Sequence, residues 1–157
     1  MSAQLISDTA PLGAIIRYSD GTPRPPERHR RKLQAWERHN NTGRLVKKMP
    51  GRRTGEITFP GSFTLHEGDY GTKAVIVLKV FKSFSVDSDL TFTVIERPAV
   101  GSVLVLSRSG DAGELVHVAD SRPAAEEWLS RHGYPDAVLH EVTADEVAAD
   151  HVEGRAA

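Results

Sequence analysis

Cysteine is absent from this 157-residue sequence. Its absence excludes thiol catalysis, cysteine-ligated zinc, iron–sulfur clusters and disulfide frameworks, and it agrees with a cytoplasmic location. No apolar run approaches the roughly 18 residues of a membrane span. Residues 1–10 lack the charged and apolar regions of a signal peptide. We therefore expect a cytoplasmic domain of bacterial type that has no membrane partner.

Aromatic residues are also few, at 6%, whereas hydrophobic residues make up 39% and charged residues 26% of the chain. This composition is typical of a globular protein and not of a disordered one. A chain of this length buries roughly two-thirds of its unfolded surface, so it needs no disulfide or metal for stability. We expect a single domain with two parts, a basic segment with one helix (residues 1–55) and an antiparallel sheet with C-terminal helices (residues 56–157).

The net charge of −1 conceals a steep separation of charge along the chain. Residues 17–55 contain twelve Lys and Arg but only three Asp and Glu, a net charge of +9. The remaining residues contain eight Lys and Arg against eighteen Asp and Glu. Each part therefore presents its own electrostatic field, and the basic part is the one suited to an anionic partner.

One helix is predicted in the basic segment. Residues 13–18 read as a short strand, and the prolines that follow enforce extended geometry. The pattern then predicts a helix over about 27–40, which starts after Pro26 and ends with Gly43 as its C-terminal cap. Most positions on this helix are basic or polar, so its apolar stripe is narrow.

Short stretches of β-type sequence, separated by Gly, Asp and Ser, dominate the middle of the chain. The predicted strands are 44–48 (short and exposed), 57–65, 73–85, 90–95, 103–106 and 114–119, with a flexible loop at 49–55 and turns at 66–71, 87–89 and 109–113. Sequential strands joined by short turns are typical of an antiparallel arrangement.

The C-terminal third predicts alternating helices and strands. A helix is expected over 122–132 and a strand over 137–142. Thr143 and Glu146 then fit a capping box that opens a short acidic helix to about residue 152. The predicted class is therefore α+β, an antiparallel β meander of four to six strands with a basic N-terminal helix and a C-terminal β-α-β-α segment packed on it.

The basic segment is the candidate binding site. Its long cationic side chains suit phosphate oxygens, and Arg binds phosphate bidentately. The candidate residues are Arg24, Arg28, Arg30, Arg31, Lys32, Arg38, Arg44, Lys47, Lys48, Arg52 and Arg53. The same cations could instead face the acidic part of the chain itself. Trp36 likewise has two interpretations, stacking on an unpaired base or docking the helix on the sheet.

Metal binding and catalysis have weaker support in the sequence. His140, Glu146, Asp150 and His151 form one potential metal set and His66, Glu67 and Asp69 another, but neither has the spacing of a known zinc site. No nucleophile elbow, phosphate-binding glycine loop or dinucleotide fingerprint is present. We therefore assign no catalytic residue, metal or cofactor.

Three functions stay open, in order of preference. The first is a non-catalytic accessory domain that contacts the phosphates of nucleic acid, or of a nucleic-acid-bearing complex, without strong sequence preference. The second is a protein-interaction module, an inhibitor or adaptor that binds an acidic protein surface or a second copy of itself. The third is a hydrolase or metal-dependent enzyme, which needs a pocket that joins His66, His117 or His140 to a carboxylate.

Overall fold

The computed structural model of the protein describes residues 1–71 and 76–147. Its helices are α1 (Ala3–Thr9), α2 (Arg30–Glu37) and α3 (Arg122–Ser130). Its strands are β1 (Ile15–Ser19), β2 (Asn41–Met49), β3 (Arg52–Thr54), β4 (Ile57–Phe59), β5 (Ser62–Gly71), β6 (Ile76–Ser85), β7 (Thr91–Glu96), β8 (Val103–Leu106), β9 (Leu115–Ala119) and β10 (Val138–Glu141). No helix within these two ranges has the length and apolar character needed to cross a membrane.

Five antiparallel strands form the main sheet, in the order β6-β5-β2-β1-β7. The predicted α+β class with a large antiparallel sheet is confirmed. The strand order departs from a simple meander at one place, because β7 returns to pair with β1 on the far side of the sheet from β6. As a result, β6 and β7 are the two edge strands of this sheet.

The main sheet is rolled, so that side chains from strands that are not neighbours meet inside it. The rings of Phe63 on β5 and Phe92 on β7 lie 5.2 Å apart, although β2 and β1 separate these strands in the sheet. Ile16 of β1 and Leu45 of β2 belong to the same buried cluster. One core therefore contains residues from both sides of residue 55.

Helix α1 contributes to this core, and the sequence pattern did not predict it. The Ser2 side chain caps the helix by accepting a hydrogen bond of 3.2 Å from the Leu5 N–H. Ala3, Ile6 and Ala10 are fully buried against the rolled sheet. A seven-residue helix shows too little periodicity to be recognised in a sequence, because its stability comes from packing.

A second antiparallel sheet has the order β10-β8-β9. Because β9 and β10 both run antiparallel to β8, they are parallel to each other and α3 is the crossover between them. The predicted helix, the predicted strands and the Thr143–Glu146 capping box are confirmed here, with reciprocal backbone-to-side-chain hydrogen bonds of 3.3 Å in the box. The capping box was predicted to open a short acidic helix that continues to about residue 152. The end of this predicted helix lies outside the described residues.

Strand β2 links the two sheets and corrects two predictions. The expected short exposed strand is a nine-residue strand at the centre of the main sheet, with Leu45 and Val46 buried. Val46 packs against Leu104 of the second sheet. Gly43 does not cap a helix: it lies within β2, where a Cβ atom would come within 2.8 Å of the Leu65 Cβ. The close approach of β2 and β5 requires the glycine.

Two further predictions about the basic segment were wrong in extent. The helix begins only at Arg30, because the His29 N–H is bonded to the Pro26 carbonyl (3.0 Å) in a preceding turn. The expected flexible loop at 49–55 instead contains β3, which pairs with β4 through Arg53↔Thr58 and forms a short hairpin. Hydrogen bonding across the hairpin orders this part of the segment.

The turn expected at 66–71 is also corrected. These residues belong to β5, which pairs with β6 as far as Gly71↔Ile76. The register shifts between His66 and Gly68, so a bulge at Glu67 interrupts the alternation of side chains. This bulge explains why a real strand reads as a turn cluster in the sequence.

Candidate functional site

Ten of the eleven candidate cations fall into two groups, towards opposite ends of β2. The helix group surrounds α2 and consists of Arg24, Arg28, Arg30, Arg31, Lys32 and Arg38. The hairpin group lies at the end of β2 and on β3 and consists of Lys47, Lys48, Arg52 and Arg53. β2 is roughly 25 Å long; the helix group precedes its first residue, and the hairpin group begins with Lys47 and Lys48 near its last. They therefore form two basic surfaces and not the single one expected from sequence.

Arg44, the eleventh candidate, has a structural role. Its Nη1 donates a hydrogen bond of 2.8 Å to the Gly13 carbonyl oxygen, across the β1–β2 pair. The side chain is half-buried, and Ile15 is its register partner on β1. Arg44 is thus held within the fold and does not join either basic surface.

Interactions within α2 do not stabilise the positive charges of its first turn. Arg30, Arg31 and Lys32 occupy the first turn, where the helix dipole is positive, and this turn contains no acidic residue. Cations at this end are unfavourable by about 0.3–1 kcal/mol each at low ionic strength. Within the described ranges, Arg24 is the one member of the helix group that meets a carboxylate, at 3.8 Å from Glu27. Within these ranges, the helix group is therefore not paired with a carboxylate of the acidic part of the chain.

A hydrogen-bond network around Asn40 attaches α2 to the end of β1. The Asn40 Oδ1 accepts hydrogen bonds from the Ser19 hydroxyl (2.8 Å) and the Asp20 N–H (3.2 Å). Its Nδ2 donates to Asp20 Oδ1 (3.0 Å) and to the Trp36 carbonyl (2.8 Å). Bonds from the Thr22 hydroxyl and N–H, together with the Asn40 amide, lower the pKa of Asp20 to about 2.

Trp36 attaches α2 to the loop that precedes the helix. Its Nε1 donates a hydrogen bond of 3.0 Å to the Thr22 carbonyl oxygen. The ring is half-buried, and α2 has no fully buried residue. The expectation that Trp36 docks the helix on the sheet is thus corrected: its polar atom anchors the helix to the loop.

The hairpin group combines cations with exposed apolar side chains. The Arg52 guanidinium lies over the Phe59 ring, 5.0 Å from its centroid, and Arg53 Nε donates to the Gly55 carbonyl (3.1 Å). Met49, Ile57 and Phe59 are 52%, 62% and 42% exposed. A cavity of about 1030 Å³ lies at the base of the hairpin, and three acids, Asp8, Asp87 and Asp111, line it together with Lys48, Arg52 and Arg53. The cations of the hairpin therefore share this cavity with carboxylates.

Sequence reasoning missed a second cavity, of about 820 Å³, which lies between the two sheets. One side of this histidine-aromatic cavity is formed by four rings, those of His117, Trp128, His132 and Tyr134. The Trp128 ring is parallel to His117 within 3° at a centroid distance of 4.6 Å, and to His132 within 9° at 3.9 Å. Burial, followed by the charge of His132, lowers the pKa of His117. The i, i+4 spacing of Trp128 and His132 on a helix was the available sequence signal.

The opposite side of this cavity contains His66 and Asp69. His66 Nε2 lies 2.6 Å from Asp69 Oδ1, and the imidazole is 5.1 Å from the Phe81 ring. The Glu67 carboxylate instead accepts a hydrogen bond from the buried Tyr18 hydroxyl. Burial, together with this bond, raises the pKa of Tyr18. His66 and His117 thus share one cavity with a carboxylate, as the enzyme hypothesis requires.

The candidate metal sets do not assemble in the described part of the chain. His140 Nε2 lies 2.7 Å from Glu146 Oε1, while Asp150 and His151 fall outside the described residues. Among residues 1–71 and 76–147, no three His, Asp or Glu side chains are grouped so that they could hold a metal ion.

Comparison with known proteins identifies a family. The chain belongs to the family described as uncharacterised conserved protein UCP036055, which matches residues 1–146. The match covers both sheets and both basic surfaces. No curated protein and no solved structure matches the chain.

Proposed function

We propose that this protein binds nucleic acid through phosphates, using the helix group and the hairpin group as two separate contacts. The observation that carries the proposal is the exposure of Arg28, Arg30, Arg31 and Lys32 without a carboxylate partner among the described residues. Cations that neutralise phosphates release counterions, which gives affinity without sequence preference. We also propose that the protein is cytoplasmic, because its sequence contains no cysteine.

The placement of the helix-group cations favours an external anion. Three of them lie in one turn at the positive end of α2, where they repel each other and the helix dipole. A bound phosphate would relieve this repulsion. The acidic remainder of the chain would at the same time orient the basic surfaces towards a polyanion.

The hairpin group adds a surface suited to an unpaired base. Arg52 already lies over the exposed Phe59 ring, and arginine and aromatic side chains together form stacking platforms for bases. β2 is roughly 25 Å long, which corresponds to about seven nucleotides at the duplex spacing of 3.4 Å each. A duplex much shorter than this would contact one group only.

The test is fluorescence anisotropy of labelled single- and double-stranded DNA and RNA, titrated from low to physiological salt. R30Q/R31Q/K32Q removes the centre of the helix group and R52Q/R53Q that of the hairpin group. R108Q/R122Q is the matched control, because both arginines are exposed and lie outside the basic segment.

We expect the slope of log affinity against log salt to fall by roughly 0.7–0.9 for each lost phosphate contact in the first two variants. The control variant should keep the slope of the wild-type protein. Absence of binding at low salt to all four nucleic acids would exclude the proposed function.

A second candidate is a protein-interaction module, favoured by the apolar side chains of the hairpin. Met49, Ile57 and Phe59 are exposed beside Arg52 and Arg53, so the hairpin suits an acidic protein surface or a second copy of the chain. Sedimentation velocity at two ionic strengths tests self-association. A monomer under both conditions would exclude the second copy as the partner.

A further inference from the structure

The histidine-aromatic cavity has two chemically different sides. On the side of the main sheet, Arg44, His66 and Phe81 form one cross-strand row, since Arg44 pairs with His66 and His66 with Phe81. The facing side is formed by β9 and the end of α3, with Trp128 as its largest ring. The volume of about 820 Å³ lies within the range of small-molecule sites.

The aromatic side is a stack of nearly parallel rings, in which His117 and His132 each lie face to face with Trp128. His117 and His132 are parallel to Trp128 within 9°, and the Tyr134 ring is inclined to it by only 16°, at a centroid distance of 5.7 Å. His132 is exposed and its Nδ1 lies 2.7 Å from the Trp128 carbonyl oxygen, which holds the ring in place. The stack therefore presents the face of its exposed member, His132, as an oriented π-surface at the cavity.

Packing of α3 explains Trp128 but not His132. Ala125 is fully buried, and Leu129 and Trp128 pack against the same cluster, so these residues dock the helix on β8 and β9. Trp128 is half-buried and also lines the cavity. The exposed imidazole of His132, stacked on the indole, adds little to helix docking.

Positive charge lies on the main-sheet side. Lys79 is exposed and has no ion pair with a carboxylate in the described ranges. Its register partner is Asp69, but the Asp69 carboxylate already bonds to His66 at 2.6 Å. Arg44 uses one nitrogen for the Gly13 carbonyl, which leaves its other donors available.

We propose that the histidine-aromatic cavity binds one nucleotide unit, with the base stacked on the exposed face of His132, which lies on Trp128, and the phosphate at Lys79 and Arg44. A flat π-surface recognises a planar heteroaromatic ring, and the cations facing it recognise an anionic group attached to that ring. The inference is independent of the two basic surfaces. The unit belongs either to a free mononucleotide or to a nucleic-acid strand.

The first experiment titrates the full chain by calorimetry with AMP, GMP and UMP, with adenosine and ribose 5-phosphate as partial ligands. Tryptophan emission is followed in parallel in a W36F background, where Trp128 is the remaining tryptophan. The variants are H132A and K79Q, both at exposed positions, with H29A as the matched control of an exposed histidine outside the cavity. Circular dichroism checks that each variant is folded.

We expect saturable AMP binding that quenches the fluorescence emission of Trp128. H132A should weaken AMP binding about tenfold or more, because stacking on an aromatic side chain contributes roughly 1–3 kcal/mol per base. K79Q should weaken AMP but not adenosine, and H29A should change neither. Absence of binding by every mononucleotide, equal affinity for ribose 5-phosphate and AMP, or unchanged binding in both cavity variants would each overturn the proposal.

A second arm distinguishes the two sources of the nucleotide. It titrates a short oligoadenylate into the combined variant R30Q/R31Q/K32Q/R52Q/R53Q, which lacks the centres of both basic surfaces but keeps the cavity. Tighter binding of the oligoadenylate than of AMP would assign the cavity to a strand, and tighter AMP binding would assign it to a free nucleotide. Because this variant tests the cavity alone, failure of the basic surfaces and failure of the cavity give different results.

Discussion

The Tyr18 ring lies against the Phe84 ring with a centroid distance of 4.7 Å, although Tyr18 is on β1 and Phe84 is on β6. Strands β2 and β5 lie between these two strands in the sheet. The contact therefore exists only because the main sheet is rolled. Phe84 also lies 5.3 Å from Phe92 on the opposite edge strand, so it holds the two edges of the sheet together.

Replacement of Phe84 by alanine should destabilise the protein strongly. Phe84 is only 5% exposed, and loss of a buried phenylalanine ring costs about 3–5 kcal/mol. Phe81 on the same strand is 44% exposed and is the matched control, with an expected loss of roughly 1 kcal/mol or less. Urea denaturation of both variants measures the difference. Equal losses would mean that the rolled core is not closed at Phe84.

Asp20 should make the stability depend on pH in the acidic range. Its pKa in the folded protein is lowered to about 2, so the folded state favours the carboxylate. This contribution is fully present above the ordinary value near pH 4 and is lost as the pH falls to about 2. Thermal unfolding of the wild type and of D20N should therefore differ most above pH 4, and the difference should shrink on acidification. A difference in unfolding temperature that does not change with pH would contradict the hydrogen bonds from Thr22 and Asn40 to the Asp20 carboxylate.

His117 should affect stability at a higher pH. Burial lowers its pKa in the folded state, so the unfolded chain binds the proton more readily as the pH falls through the ordinary value of about 6.5. Stability from this residue is present above its ordinary pKa and decreases as the pH falls. H117F retains a ring beside Trp128 but cannot titrate, so its stability should decrease less over this range. Chemical denaturation at several pH values compares the two proteins, and parallel pH profiles would refute the prediction.

Gly13 should not tolerate a side chain, because it lies where the two sheets meet. Its φ is +92°, and a Cβ atom would come within 2.9 Å of Pro98 Cγ and 3.2 Å of Leu104 Cδ2. Gly21 has a similar φ of +83° but nothing within 4 Å, so G21A measures the backbone strain alone, about 1–2 kcal/mol. G13A should cost more than G21A in urea denaturation. Equal costs would show that the neighbouring side chains yield without penalty.

Regular alternation and turn chemistry made the second half of the chain predictable. The predicted strand at 103–106 coincides with β8, and the capping box at Thr143 is present, because both depend on local sequence. The same alternation did not predict the strand around Glu67, because a bulge interrupts it there. The short helix α1 was missed because its stability comes from contacts with strands distant in sequence.

Of the candidate sites, too, only the basic segment could be predicted from the sequence. The basic segment is visible in the sequence because charge is a property of composition, but the central position of β2 separates its cations into two surfaces and assigns Arg44 to the fold. The histidine-aromatic cavity had only one local signal in the sequence, the i, i+4 spacing of Trp128 and His132. Its walls come from β2, β5, β6, β9 and α3, and no local pattern brings His66 and His117 together.

The amino-acid sequence by itself determined the α+β class, most strand positions and the separation of charge, since hydrophobic periodicity, turn residues and charge act over a few neighbouring residues. Only the tertiary structure decided which strands pair, how the sheet rolls and which side chains share a cavity. These features depend on the burial of surfaces that lie far apart along the chain, such as those of Tyr18 and Phe84.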